Sequence, residues 1–342
     1  MALILGNLMS AIGELETTMY ATLFIVFAIG FAVIYVIMLL LGVSSIGIIA
    51  IALLFFLAQW YLTPYIIKFA SKLRYIGDEE YPKLQKMVAD LSAQAGIPKP
   101  KIAISPSQEP NAFVFGRSTK GASLAVHEGL LKMVNDDELN AVLAHEIGHI
   151  KHKDFIVITI VSFVPMLAYI VAESLFLNGM FSSGGRNNNT GYLVVLGIGA
   201  FVVYFISELL MMSLTREREL FADSYSADST SKPQYLASAL VKITYGLNGT
   251  ESQGPAANNG TVTRSLYIAD NLTAGKDLAE LDAHAAEIKR LLPNINISEL
   301  KANAAKERKG ARGFLNSLFG THPSTYKRLI LLAQMADERN GK

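Results

Sequence analysis

The sequence predicts a mainly α-helical protein with a small β-sheet, embedded in a membrane by four helices. Three observations carry that prediction. Half of the 342 residues are hydrophobic (51%) and only 17% are charged, against about 25% charged in an average soluble domain. Residues 17–67 contain no charged side chain, a stretch about twice the ~20 apolar residues that cross a bilayer. A second apolar pair follows at 155–172 and 192–214, separated by the polar, turn-rich SSGGRNNNTG of 182–191.

Composition also excludes classes of function. Thirty Lys+Arg against 29 Asp+Glu leave no electrostatic footprint for nucleic acid. The absence of Cys excludes disulfides, thiolate metal sites and a thiol nucleophile.

Taken in order, residues 1–16 form an N-terminal segment. Gly42, Ser44, Ser45 and Gly47 divide the first apolar stretch into helices at 17–41 and 46–67. Trp60, Tyr61 and Tyr65 mark the second exit, where aromatic belts lie. The stretch is too long for a cleaved signal peptide, and no Lys or Arg precedes it. In the second pair Glu173 and Glu208 interrupt the apolar runs, so a buried hairpin is the alternative to two spans. Lys68, Lys72, Arg74, Lys151, Lys153, Arg216 and Arg218 flank one side of the predicted spans, and Arg186 alone the other. The positive-inside bias then puts both termini and the bulk of the chain on the cytoplasmic side of the plasma membrane.

The remainder forms two soluble parts, 68–154 and 215–342. Leu84, Met87, Val88 and Leu91 share one face of a helix over 81–95, closed by Gly96. Residues 101–105, 111–115 and 122–126 read as short strands between Pro/Gly turns. Asn135 followed by Glu138 is a capping-box pattern opening a helix to about His152. Residues 215–246 read as helical, 247–263 (LNGTESQGPAANNGTVT) as a surface loop, and the tail as helical again.

The chemistry lies in His145-Glu146-Ile147-Gly148-His149. Two His four apart project from one helix face and can grip one zinc ion. Glu146, about 100° round the helix, lies where it can take a proton from an attacking water. His152 shares that face, but at 1.5 Å rise per residue it sits about 10 Å along the axis from His145, out of reach of a shared ion. An acidic residue on a second helix is the usual third ligand. Glu219 and Asp223 are four apart on one face, so one can bind metal and the other can hold a ligand His by its free N–H. The other reading of that run is a charged helix start in which Glu and Arg satisfy each other.

These residues, with Pro110-Asn111-Ala112-Phe113, Glu138 to His149, Arg216 to Asp223 and Thr321-His322-Pro323-Ser324, resemble the HtpX family of membrane zinc metalloproteases, relatives of the CAAX prenyl endopeptidases. The resemblance implies a zincin-like (gluzincin) fold with one Zn2+ per chain. It implies that Glu219 is the third ligand and Asp223 the partner that orients a ligand. Asn111, Ala112 and Phe113 would lie on an edge strand that captures extended substrate, with Asn111 hydrogen-bonding the peptide. His322 and Arg328 would lie near the cleft, where either could stabilise an oxyanion. Leu220 stands where the family pattern usually has Tyr.

The expected activity is therefore hydrolysis of peptide bonds in protein substrates, misfolded or damaged membrane proteins above all. The alternatives are a processing peptidase for one membrane or lipid-modified partner and a zinc-binding scaffold without turnover. The expected partners are protein substrates and the lipid bilayer, with no nucleic acid; nothing in the sequence sets an oligomeric state.

Overall fold

The computed structural model describes residues 45–181, 190–246, 285–293, 322–323 and 325–339. The first predicted span at 17–41, the loop at 247–263 and most of 182–191 lie outside the described residues. The chain divides into two compact units. One holds the apolar helices (residues to Leu62, and Val157–Leu214), and the other holds Thr63–Ile156 with Thr215–Lys342.

In the apolar unit, α1 (Ser45–Ala70) begins the described chain. Helices α5 (Asp154–Val161) and α6 (Phe163–Phe181) and the first part of the 41-residue α7 (Thr190–Thr230) follow. Among the described residues, three stretches are long and apolar enough to cross a membrane: Leu53–Ala70, Asp154–Phe176 and Gly191–Thr230. The helix expected at 155–172 is interrupted at Ser162. Pro165 explains the break: without an N–H it cannot bond the carbonyl of Val161, where α5 ends. Phe163, Leu167, Val171 and Leu175 of α6 pack around Ala200 of α7, and Gln59 Nε2 donates to Ser162 Oγ at 2.7 Å.

The other unit is a four-stranded sheet covered by helices. β1 (Arg74–Tyr75) pairs antiparallel with β2 (Lys101–Ser105), β2 pairs parallel with β4 (Ser123–His127), and β3 (Ala112–Phe115) pairs antiparallel with β4. The order β1-β2-β4-β3 leaves β3 at an edge. Strand alternation divides the side chains. Ile102, Ile104, Ala112, Val114, Leu124 and Val126 enter the main core, while Ala103, Phe113, Phe115 and Ala125 face a second cluster with Ile67 and Leu73.

The main core is completed by helices. α2 (Pro82–Ala95) contributes Leu84, Val88 and Leu91 and ends at Gly96 in a left-handed conformation (φ 69°), as the terminal Gly predicts. The short α3 (Glu128–Met133) leads to α4 (Asp136–Lys151). Its capping box is present as expected: Asn135 Oδ1 accepts from the Glu138 N–H, and Glu138 Oε2 from the Asn135 N–H, both at 2.9 Å. α8 (Pro233–Gly246), α9 (Ala285–Leu291) and α10 (Thr325–Arg339) add Leu236, Leu240, Ile288, Leu329 and Leu332. The helix read over 215–246 is instead two, with Ser231 at positive φ (56°) between α7 and α8.

Candidate metal centre and active site

α4 presents His145 and His149 one turn apart, and α7 brings Glu219 to the same point. The ligand-capable atoms of these three residues all lie within 4.8 Å of one another. His145 Nε2 and His149 Nε2 are 3.1 Å apart. Glu219 Oε2 is 3.6 Å from the first, and Glu219 Oε1 is 3.5 Å from the second. His152 stands apart, its ring edge-on to Phe221 (4.4 Å between centroids) and Tyr225 (5.6 Å). Its ring is held in an aromatic pocket.

Each metal-facing His is held from behind. His145 Nδ1 lies 2.9 Å from Asp223 Oδ1, and His149 Nδ1 lies 2.6 Å from Asp154 Oδ2. A carboxylate accepts only, so each Nδ1 carries the hydrogen and each Nε2 turns a lone pair to the other. At 3.1 Å the two Nε2 atoms are reconciled by a proton on one of them or by a metal ion shared between them. Glu219 is buried, its carboxylate turned to the same point. Two imidazoles and a carboxylate fit zinc or a similar transition metal; a hard cation such as Mg2+ prefers oxygen alone.

Arg328 of α10, 1% exposed, donates from Nε and Nη2 to Asp223 at 2.7 and 2.6 Å, and its Nη1 lies 3.7 Å from Glu219 Oε2. His322 Nδ1 is 3.1 Å from that oxygen. Both residues predicted near the cleft thus converge on Glu219.

Burial sets the protonation chemistry. It pushes the Glu146 carboxyl up to about 7, with the nearby His149 and His145 opposing the rise. For His145 burial disfavours the charged ring, but the Asp223 and Glu219 carboxylates outweigh it and raise the imidazole to about 9. A proton and a metal ion therefore compete for the same lone pair.

Beside this centre, β3 runs along α4. Asn111 precedes it and is buried, its carbonyl accepting from the His127 N–H at 2.9 Å. His127 Nδ1 also donates to the Glu109 carbonyl at 2.9 Å, so one residue at the end of β4 holds the loop into β3. Gly129 seats that loop as well: a Cβ there would come 2.0 Å from the Gln108 carbonyl oxygen. Sequence reasoning passed over Asp154 and gave Arg218 no role at the site. The signal for Asp154 was faint, an acid five residues after the second His and just past the helix end.

A His-His-Glu cluster with an adjoining carboxyl, on a sheet-and-helix unit with long apolar helices, defines a membrane metalloprotease. Comparison with known proteins agrees. Residues 78–336 match peptidase family M48, and the chain belongs to that family. It is 35% identical over 250 residues to a protease HtpX homolog of Methanothermobacter thermautotrophicus, covering 72% of this chain and 92% of that one. It is 34% identical to protease HtpX homolog 2 of Methanosarcina mazei, covering 87% of each chain. The fold resembles the crystal structure of S. mikatae Ste24p, with a TM-score of 0.51, 18% identity, and coverage of 93% of this chain and 66% of that one.

Proposed function

We propose that this protein is a zinc metalloendopeptidase that cuts misfolded or damaged membrane proteins at the cytoplasmic face of the plasma membrane. The observation that carries the chemistry is the convergence of His145, His149 and Glu219 within 4.8 Å, beside a carboxyl shifted to the pH range of a working base.

Zinc, when bound, polarises the scissile carbonyl and acidifies the attacking water. His145, His149 and Glu219 would hold the ion, with Asp223 orienting His145 through Nδ1. Glu146 takes the proton from the attacking water and delivers it to the leaving amine, a shuttle that a pKa of about 7 suits in both directions. Its burial excludes bulk water and keeps that pKa raised. His322 and Arg328, both directed at Glu219, are the donors assigned to steady the developing oxyanion. Edge strand β3 accepts an extended peptide by strand addition, and Asn111 fastens the peptide backbone. Backbone capture reads little of the side-chain sequence, which suits a clearing protease with many substrates. The basic residues flanking the apolar helices support the cytoplasmic placement.

The test is casein cleavage by detergent-purified protein with added zinc, wild type against Glu146→Ala. Wild type should cleave and the variant should lose several orders of magnitude in rate while still binding zinc. Equal rates in both would refute the mechanism. Topology is tested with Asn188→Cys, free of background because the chain has no other Cys. Thiol labelling without permeabilisation supports the orientation, and labelling only after permeabilisation reverses it.

A further inference from the structure

The two metal-facing histidines are backed by matching arms, and only one of them follows from the motif residues. His145 leans on Asp223, which Arg328 grips. His149 leans on Asp154, and Asp154 Oδ1 is gripped by Arg218 Nη2. Asp154 and Arg218 are each 3% exposed. A buried carboxylate is costly in lost hydration unless it is paired and hydrogen-bonded, so such a pair persists only where its geometry is tightly held.

Three features hold it. Lys153 adopts a left-handed conformation (φ 59°), which turns the chain sharply after α4 and carries Asp154 back to His149, five residues earlier. The same Arg218 Nη2 donates to the His152 carbonyl at 2.8 Å, tying the C-terminus of α4 to α7. Arg218 also immediately precedes Glu219 on α7. One helical position thus supplies a ligand, and its neighbour fixes the counter-charge behind another ligand on a different helix.

We propose that Asp154, oriented by Arg218, is a positioning residue for His149: it fixes the ring's tautomer and direction and raises the metal affinity of Nε2. This rests on the metalloprotease reading of the site. Arg218 acts through Asp154 and touches neither metal nor substrate. The carboxylate behind a ligand imidazole makes its opposite nitrogen a stronger donor, and loss of such a partner commonly costs 10–100-fold in metal affinity.

The experiment measures zinc affinity of the full-length protein in detergent by competition with a chromophoric chelator, and melting temperature with chelator and with saturating zinc. Asp154→Asn should weaken zinc binding roughly 10–100-fold and shrink the zinc-induced rise in melting temperature. Arg218→Lys, which keeps the charge but loses the planar fork, should give a smaller loss in the same direction. Combining Arg218→Lys with Asp154→Asn should add little to Asp154→Asn alone. The cobalt-substituted protein should show a shifted visible spectrum in Asp154→Asn, a change that a purely structural role would not produce. Zinc affinity within twofold of wild type in a folded Asp154→Asn protein overturns the proposal. So does an equal drop in melting temperature with and without zinc. If Asp154→Asn does not fold, Arg218→Lys decides by the same criteria. His149→Ala separates the two levels: if it keeps wild-type zinc affinity, the metal-site reading itself fails.

Discussion

Gly148, between the two metal-facing histidines, packs so closely on Tyr225 that a Cβ at that position would lie 2.9 Å from Tyr225 Cδ1. This contact sets how near α4 approaches α7, and so how near His149 comes to Glu219. Gly148→Ala gains about 1 kcal/mol of helix propensity but overpacks the contact by about 1–3 kcal/mol. The expected net change is a loss of roughly 1 kcal/mol and weaker zinc binding. In a Tyr225→Ala background the clash disappears and the same substitution should become neutral or stabilising. Additive costs across that double-mutant cycle would show that the two residues are not coupled.

Glu138 ties the start of α4 to α8. Its Oε1 accepts from Ser238 Oγ at 2.6 Å and its Oε2 from Lys242 Nζ at 2.7 Å, while it also closes the capping box. Burial opposes its ionised form, but these donors win and hold its carboxyl below the usual range. Glu138→Ala should therefore cost about 2–4 kcal/mol in unfolding free energy, from the lost cap and the stranded donors. Glu138→Gln should cost less. Thermal or denaturant melts giving under about 1 kcal/mol for the alanine variant would show that the network is not a stabilising clamp.

His152 makes stability fall toward acid. Burial against Phe221 and Tyr225 lowers its imidazole from 6.5 to about 4. Between those values the unfolded chain binds the proton and the folded chain does not. Stability from this residue is thus full above about pH 6.5 and is lost as the pH falls toward 4. His152→Phe keeps an aromatic ring in the pocket and should flatten the acid limb in that window. An unchanged pH profile of the melting temperature would show that the ring is not the titrating group.

Metal removal should both silence and soften the protein. Chelation is expected to abolish cleavage and lower the melting temperature. Zinc at about 100 times its dissociation constant should restore roughly 2.7 kcal/mol of stability. Magnesium should not substitute, because two of the three groups that would hold the ion are imidazoles. Recovery of activity with magnesium alone would contradict the donor set.

Much of this was legible in the sequence because it is local. The His145–His149 spacing, the Asn135–Glu138 cap, the Gly96 helix stop and the short strands β2 and β4 between Pro/Gly turns are each written within a few residues, where backbone geometry leaves few options. Boundaries failed where one residue changed the local conformation. Pro165 ended a helix early, and Ser231 split another at a positive φ that no sequence period reports.

The sequence by itself determined the family, the apolar helices among the described residues, the helix carrying the His-Glu-x-x-His motif and the residues able to supply a third ligand. Only the tertiary structure decided what stands behind those ligands. Arg328 meets Asp223 across 105 residues, and Arg218 meets Asp154 across 64. No periodicity links such positions. Their pairing follows from where the fold brings α10 to α7, and α7 to the turn after α4, and buried charges must find partners wherever that packing places them.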